Sequence, residues 1–143
     1  MIARSFPPSN FECPVSWHSF DDKCYKLLDE PLTWFDANKT CNEDGGNLAS
    51  IQTDEENNFI FELAGENPVS LGGNDLDTEG TWTWSDEREW GEFINWGENE
   101  PNNIEGEHCI EIRHFNGRWN DYNCGQKLKA VCKKESNKGK VRS

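Results

Sequence analysis

The sequence predicts an α+β domain: two helices packed on small antiparallel sheets, a long loop region, and three disulfides. Three observations carry that expectation. The first half holds two helical segments with capping residues at their starts. The second half alternates short apolar stretches with turn signals. Six cysteines, Cys13, Cys24, Cys41, Cys109, Cys124 and Cys132, form an even set without the Cys-x-x-Cys spacing of a zinc site. That usage fits an oxidising compartment. At 143 residues the chain is long enough for one modest core, and seven Trp with 12% aromatics are too many for a disordered chain.

Taken in order, residues 1–12 read as a flexible lead-in, with Pro7, Pro8 and Ser9 resisting regular structure. The domain spans 13–134. It opens on Cys13-Pro14, and the aromatics around Cys24-Tyr25-Lys26-Leu27 suggest strands in a hairpin. Thr33 to Asp44 reads as a helix: Thr33 can cap it, Trp34, Ala37 and Cys41 recur at three and four residues, and Gly45-Gly46 stops it. Leu48, Ala49 and Ile51 make a short apolar strand.

Thr53 with Glu56 three residues on is a capping box, opening a second helix to about Leu63 that buries Phe59, Ile60 and Leu63. Trp82-Thr83-Trp84 alternates as a strand with both indoles on one face, a core role rather than a ligand contact. Residues 87–108 form a long loop, which in a compact domain is usually functional or disordered; Trp90, Phe93 and Trp96 argue for order. Cys109 to Ile112 alternates as a strand, Asn116-Gly117 marks a hairpin turn, Trp119-Asn120-Asp121 begins the return, and Ala130-Val131-Cys132 closes the fold. Residues 135–143 read as a polar, basic tail.

The formal charge is −13, from 14 basic and 27 acidic side chains. Nucleic acid is excluded as a partner, because binding it needs a basic footprint, and an anionic membrane surface is disfavoured on the same ground. Clustered carboxylates repel one another until a cation binds. The sequence contains no transmembrane run, so no membrane insertion is expected, and Met1 to Asn10 lacks the apolar core of a signal peptide. Asn38-Lys39-Thr40 is a glycosylation sequon set in the first helix.

The chemistry concentrates in residues 100–121. Glu100, Asn102, Glu107, Asn120 and Asp121 end in hard oxygen, close to the 6–8 oxygen ligands that Ca²⁺ takes. Pro101 between Glu100 and Asn102 suggests a tight turn, with a cis bond open to it. Carboxylates only accept hydrogen bonds, whereas an Asn amide also donates. A Glu and an Asn on each side of one ion therefore suit vicinal sugar hydroxyls, which can coordinate, donate to the carboxylate and accept from the amide.

The motifs Glu100-Pro101-Asn102, Glu107-x-Cys109 and Trp119-Asn120-Asp121 resemble the sugar-binding site of C-type lectins. The Glu-Pro-Asn order is similar to the mannose-type subclass, and the Cys13 to Cys24 hairpin to the long form of the domain. The resemblance implies a principal calcium on Glu100, Asn102, Glu107, Asn120 and Asp121, and disulfides Cys13–Cys24, Cys41–Cys132 and Cys109–Cys124. It implies an auxiliary calcium on Asp75, Glu79, Asn103 and Glu107, although His108 stands where the family often has Asp, and neutral imidazole is a poor calcium ligand. A second expectation for His108 is that it points at bound sugar.

It further implies a central strand of Trp-Ile-Gly-Leu type; here Ser70-Leu71-Gly72-Gly73 puts a small residue at the bulky position, with Val69 or a neighbour expected to compensate. The implied protein is secreted, binds mannose, fucose or N-acetylglucosamine-type glycans through Ca²⁺, and gains avidity as a homo-oligomer. The alternatives are a lectin-like fold binding a protein, ice or mineral surface, and a glycosidase using Glu100 and Glu107. The last suits the residues badly, since carboxylates on a metal stay ionised and make poor general acids; no catalytic residue is assigned.

Overall fold

The computed structural model describes residues 13–65, 67–102, 106–113 and 115–136. The expected lead-in lies outside them. Among the described residues the elements are β1 (His18–Phe20), β2 (Lys23–Leu32), α1 (Trp34–Glu43), β3 (Asn47–Leu48), α2 (Asp54–Ala64), β4 (Val69–Asn74), β5 (Thr83–Trp84), β6 (Cys109–Ile112), β7 (Trp119–Tyr122) and β8 (Leu128–Glu135).

Both helices start where the side chains dictate. The Thr33 hydroxyl accepts from the Asp36 amide at 3.1 Å, and the Thr53 hydroxyl from the Glu56 amide at 3.0 Å, each satisfying an N-terminal donor that has no partner within its helix. Trp34, Ala37 and Cys41 form the buried stripe of α1, and the Trp34 indole donates to the Leu71 carbonyl at 2.9 Å, fastening the helix to β4. In α2 the buried positions are Glu56, Asn57, Ile60 and Ala64; Phe59 and Leu63 are only partly covered. The Asn38 side chain is already engaged, its Oδ1 accepting from the Leu48 amide at 3.3 Å.

The strands do not form separate antiparallel sheets. They join into one mixed sheet in the order β1-β2-β8-β4-β6-β7, with β3 on β8 and β5 on β4. The join is a parallel pairing of β4 with β8, Val69 against Lys129 and Ser70 against Ala130. The expected strand over Leu48, Ala49 and Ile51 is shortened to Asn47–Leu48. Ala49 instead bridges two strands, donating to Val131 O at 2.9 Å and accepting from the Gly72 amide at 2.8 Å. β8 runs to Glu135, and Ser136 is buried with its hydroxyl on Asp22 at 3.0 Å. Residues 137–143 of the expected tail lie outside those described.

Ser70 is fully buried, and the space left by its small side chain is met by the Tyr122 hydroxyl, 2.6 Å from its Oγ. Val69 stays in the core as expected.

All three implied disulfides are present. Cys41–Cys132 closes 91 residues and ties α1 to β8, worth about 4–5 kcal/mol by chain entropy. Cys109–Cys124 closes 15 residues around the β6–β7 hairpin, worth about 3 kcal/mol on the same reasoning.

The capping Glu56 has a second role. One carboxylate oxygen accepts from the Gln52 amide at 2.8 Å; the other takes the Tyr25 hydroxyl and the Lys133 ammonium. Lys133 also donates to Ser50 O and Oγ at 3.2 and 3.1 Å. Burial pushes the Lys133 ammonium below its usual range, opposed by the charge of Glu56, and pushes the Tyr25 hydroxyl up. Removing one partner leaves a buried charge without its counterion. Lys133→Met should destabilise the fold by about 3–5 kcal/mol in urea unfolding, and adding Glu56→Gln should recover part of the loss.

Candidate functional site

The loop after β5 is held by aromatic packing rather than by regular structure. Trp119 on β7 is fully buried, with Trp84, Trp90, Phe93 and Trp96 around it at ring-centroid distances of 5.4, 5.9, 5.9 and 6.0 Å. Its backbone donates to Asn95 O and accepts from the Gly97 amide, both at 2.8 Å, and its indole donates to Asn57 Oδ1 at 2.8 Å. The segment carrying Glu100 is thereby sewn to the strand carrying Asn120 and Asp121. Trp82 packs against Trp96 at 5.0 Å, so the Trp82-Thr83-Trp84 indoles are scaffold.

The Glu100–Pro101 peptide is cis. Beyond it, the Asn102 amide donates to Asp121 Oδ1 at 3.2 Å. Asp121 is fully buried; the Asn102 residue itself is exposed. The β6–β7 register sets Glu111 opposite Asn120, and the Asn120 amide nitrogen donates to Glu111 Oε2 at 2.7 Å. That bond fixes which way the amide faces: its oxygen turns toward the side chain of Arg113.

A cation already stands there. The Arg113 guanidinium donates to Glu100 Oε2 at 2.8 Å and reaches Asn120 Oδ1 at 3.4 Å, touching two of the five expected ligands through one nitrogen. Gly97 leaves room for it, since a Cβ there would come within 2.7 Å of Arg113 Nη1. Neither Arg113 nor Glu111 is identified by the motif. Strand alternation from Cys109 places both on one face, but only the hairpin register shows that this face meets Asn120.

Glu100 Oε1 is buried without a hydrogen-bond partner. Its neighbour is the Asp121 carboxyl; with both ionised, neither supplies a donor to the other. Burial, then Asp121, then the more distant charge of Glu107 push the Glu100 carboxyl up to about 7, against the pull of Arg113. The structure therefore brings Glu100, Asn102, Asn120 and Asp121 together with Glu107 in electrostatic range. Asn103 lies outside the described residues.

Asp75, Glu79 and His108 form a second cluster, with one donor atom from each lying within 4.8 Å of the others. His108 Nδ1 is 2.9 Å from Asp75 Oδ1 and 3.3 Å from Glu79 Oε1. The Nδ1 side of the ring thus faces two acids. The pocket of about 130 Å³ lined by Phe20, Tyr25, Glu56, Arg88 and Lys133 contains none of the expected ligands.

Residues 30–134 match the family model described as the lectin C-type domain. The chain belongs to the C-type lectin domain family. This C-type lectin domain is 38% identical over 141 residues to human C-type mannose receptor 2, covering 92% of this chain and 10% of that protein. It is 31% identical over 125 residues to human C-type lectin domain family 4 member D, covering 85% of this chain and 58% of that protein. The chain therefore spans only part of the length of these relatives.

Among solved structures, the cow CD23 carbohydrate-recognition domain, crystallised in the presence of a GlcNAc2Man3 oligosaccharide, aligns with a TM-score of 0.83 at 34% identity, covering 87% of this chain and 97% of that one. A calcium-independent type II antifreeze protein aligns equally well, with a TM-score of 0.83 at 27% identity over 88% and 96% of the two chains. Family membership supports a binding module rather than an enzyme.

The raised Glu100 carboxyl has a definite sign. The folded chain holds this proton more tightly than the unfolded chain, so its contribution is greatest below about 4.5 and is lost as pH rises toward about 7. In the C-type lectin domain kept metal-free with chelator, urea stability should fall over that window, and Glu100→Gln should flatten the fall.

Proposed function

We propose that this domain binds carbohydrate through a calcium ion held by Glu100, Asn102, Glu107, Asn120 and Asp121. The observation that carries the reading is the buried Glu100 Oε1, lacking a donor and set beside the buried Asp121 carboxyl. A hard divalent cation matches that oxygen-only donor set. Arg113 holds Glu100 Oε2 and stands 3.4 Å from Asn120 Oδ1, so an ion bound at Oε1 would displace the guanidinium from the Asn120 oxygen.

When bound, calcium would supply positive charge and open coordination positions for two adjacent hydroxyls. The protein's own groups do the rest. Glu100 and Glu107 accept hydroxyl protons, and Asn102 and Asn120 donate to hydroxyl oxygens. Asn120 gives one amide hydrogen to Glu111 and keeps the second for ligand. Asp121 completes the ion's shell while anchoring the Asn102 amide.

The Glu-Pro-Asn order favours mannose, fucose and N-acetylglucosamine-type ligands, as do the similarity to C-type mannose receptor 2 and to the CD23 domain crystallised with a mannose-containing oligosaccharide. A contact through two hydroxyls buries little area, so single-site affinity is weak and several copies are needed for avidity. Three disulfides favour an extracellular setting.

Glycan-array binding in calcium and in EDTA tests the proposal. Mannose-type ligands should be held only in calcium, and Asp121→Asn should weaken calcium binding by roughly a hundredfold. Calcium affinity should also fall below about pH 7, because binding must then expel the Glu100 proton. Binding that is equal in EDTA would reject the calcium site. Retention of a protein, ice or mineral surface that free mannose does not compete would favour the alternative partner.

A further inference from the structure

The geometry points to a transition-metal site of the zinc class on Asp75, Glu79 and His108, where the family resemblance implies an auxiliary calcium. The donor chemistry decides between the two ions. Calcium takes oxygen; neutral imidazole is a poor ligand for it and a common one for zinc. His108 is not a bystander here, since its Nδ1 is the atom that faces both carboxylates.

The spacing agrees. Donors about 2.0–2.1 Å from a tetrahedral ion stand about 3.3 Å from one another. His108 Nδ1 lies 2.9 Å from Asp75 Oδ1 and 3.3 Å from Glu79 Oε1, and all three donors fall within 4.8 Å. Three protein ligands leave a fourth position for water or an outside group.

Two of the three ligands are also held in place before any ion arrives. Asp75 is buried; its Oδ2 accepts from the Gly80 amide at 2.8 Å, which leaves Oδ1 as the oxygen facing the ring. The Asp75 amide donates to the His108 carbonyl at 3.0 Å, and the next residues on either side, Asn74 and Cys109, pair across β4 and β6. Glu79 is more than half exposed and closes the cluster from solvent. A metal-bound imidazole is a neutral ligand, so the charges of two carboxylate ligands match those of one divalent ion. The site is independent of the sugar-binding proposal, because it shares no ligand with Glu100, Asn102, Asn120 or Asp121.

Calorimetric titration of the whole chain with zinc chloride, in a background of millimolar calcium, tests it. One zinc per chain should bind at micromolar concentration despite the calcium. His108→Asn and Glu79→Gln should each weaken that binding at least about tenfold, and His108→Asp should shift preference from zinc toward calcium. Cobalt(II) should give a visible absorption band that is lost in His108→Asn. Absence of saturable zinc binding would overturn the inference. So would binding unchanged in both variants, which would mean an adventitious ion only at the other histidines, or zinc displaced by calcium at equal concentration. Glu79 is exposed enough for Glu79→Gln to fold, so the test stands even if His108 variants do not.

Discussion

The burial of Trp119 is the constraint on which the rest hangs. Its ring has no solvent contact, meets four other aromatic side chains, and donates to Asn57 on α2. Aromatic pairs of this kind add about 0.5–1.5 kcal/mol each beyond their buried area. The long acidic loop has little regular structure to stabilise it, and its carboxylates repel. It keeps its path because Trp90, Phe93 and Trp96 are drawn to one indole, while Asn95 and Gly97 share that residue's backbone. The next two residues in the chain are Asn120 and Asp121, so the same anchor that orders the loop delivers two of the five candidate ligands to it.

Charge is the second constraint on this arrangement. Buried acids side by side are costly unless neutralised. The chain answers in two ways at the candidate calcium site: Arg113 inserts beside Glu100, and the Glu100 carboxyl holds its proton up to near neutral pH. A similar answer appears away from the site, where Lys133 sits against Glu56. In each place a side chain's cation fills the gap between acids and polar oxygens, and in each the acid also has a local task, as ligand candidate or helix cap.

Much of this was legible in the sequence because the signals were local. Thr33, Thr53 with Glu56, Gly45 after α1 and Asn116-Gly117 each act within a few residues of themselves, and the helices and hairpin fall where those residues stand. The five hard-oxygen residues were legible as a set because their spacing is a motif. What the sequence did not disclose depends on register between distant strands. The parallel β4–β8 join, the Ser70–Tyr122 contact and the placing of Arg113 and Glu111 beside Glu100 and Asn120 arise only when strands far apart in the chain are aligned. Glu56 shows the opposite limit: its capping role accounts for its sequence position so well that nothing signals its buried ion pair.

The pairing of β2 with β8 sets Lys23 against Glu135, with Cys13 bonded to Cys24 beside them. Entry to and exit from the folded unit are therefore neighbours, at one margin of the sheet. Asn120 and Asp121 ride on β7, the last strand in the order at the opposite margin. Such a unit can be spliced between other segments like a bead on a doubled thread, with the strand bearing Asn120 and Asp121 on the side away from the point of suspension.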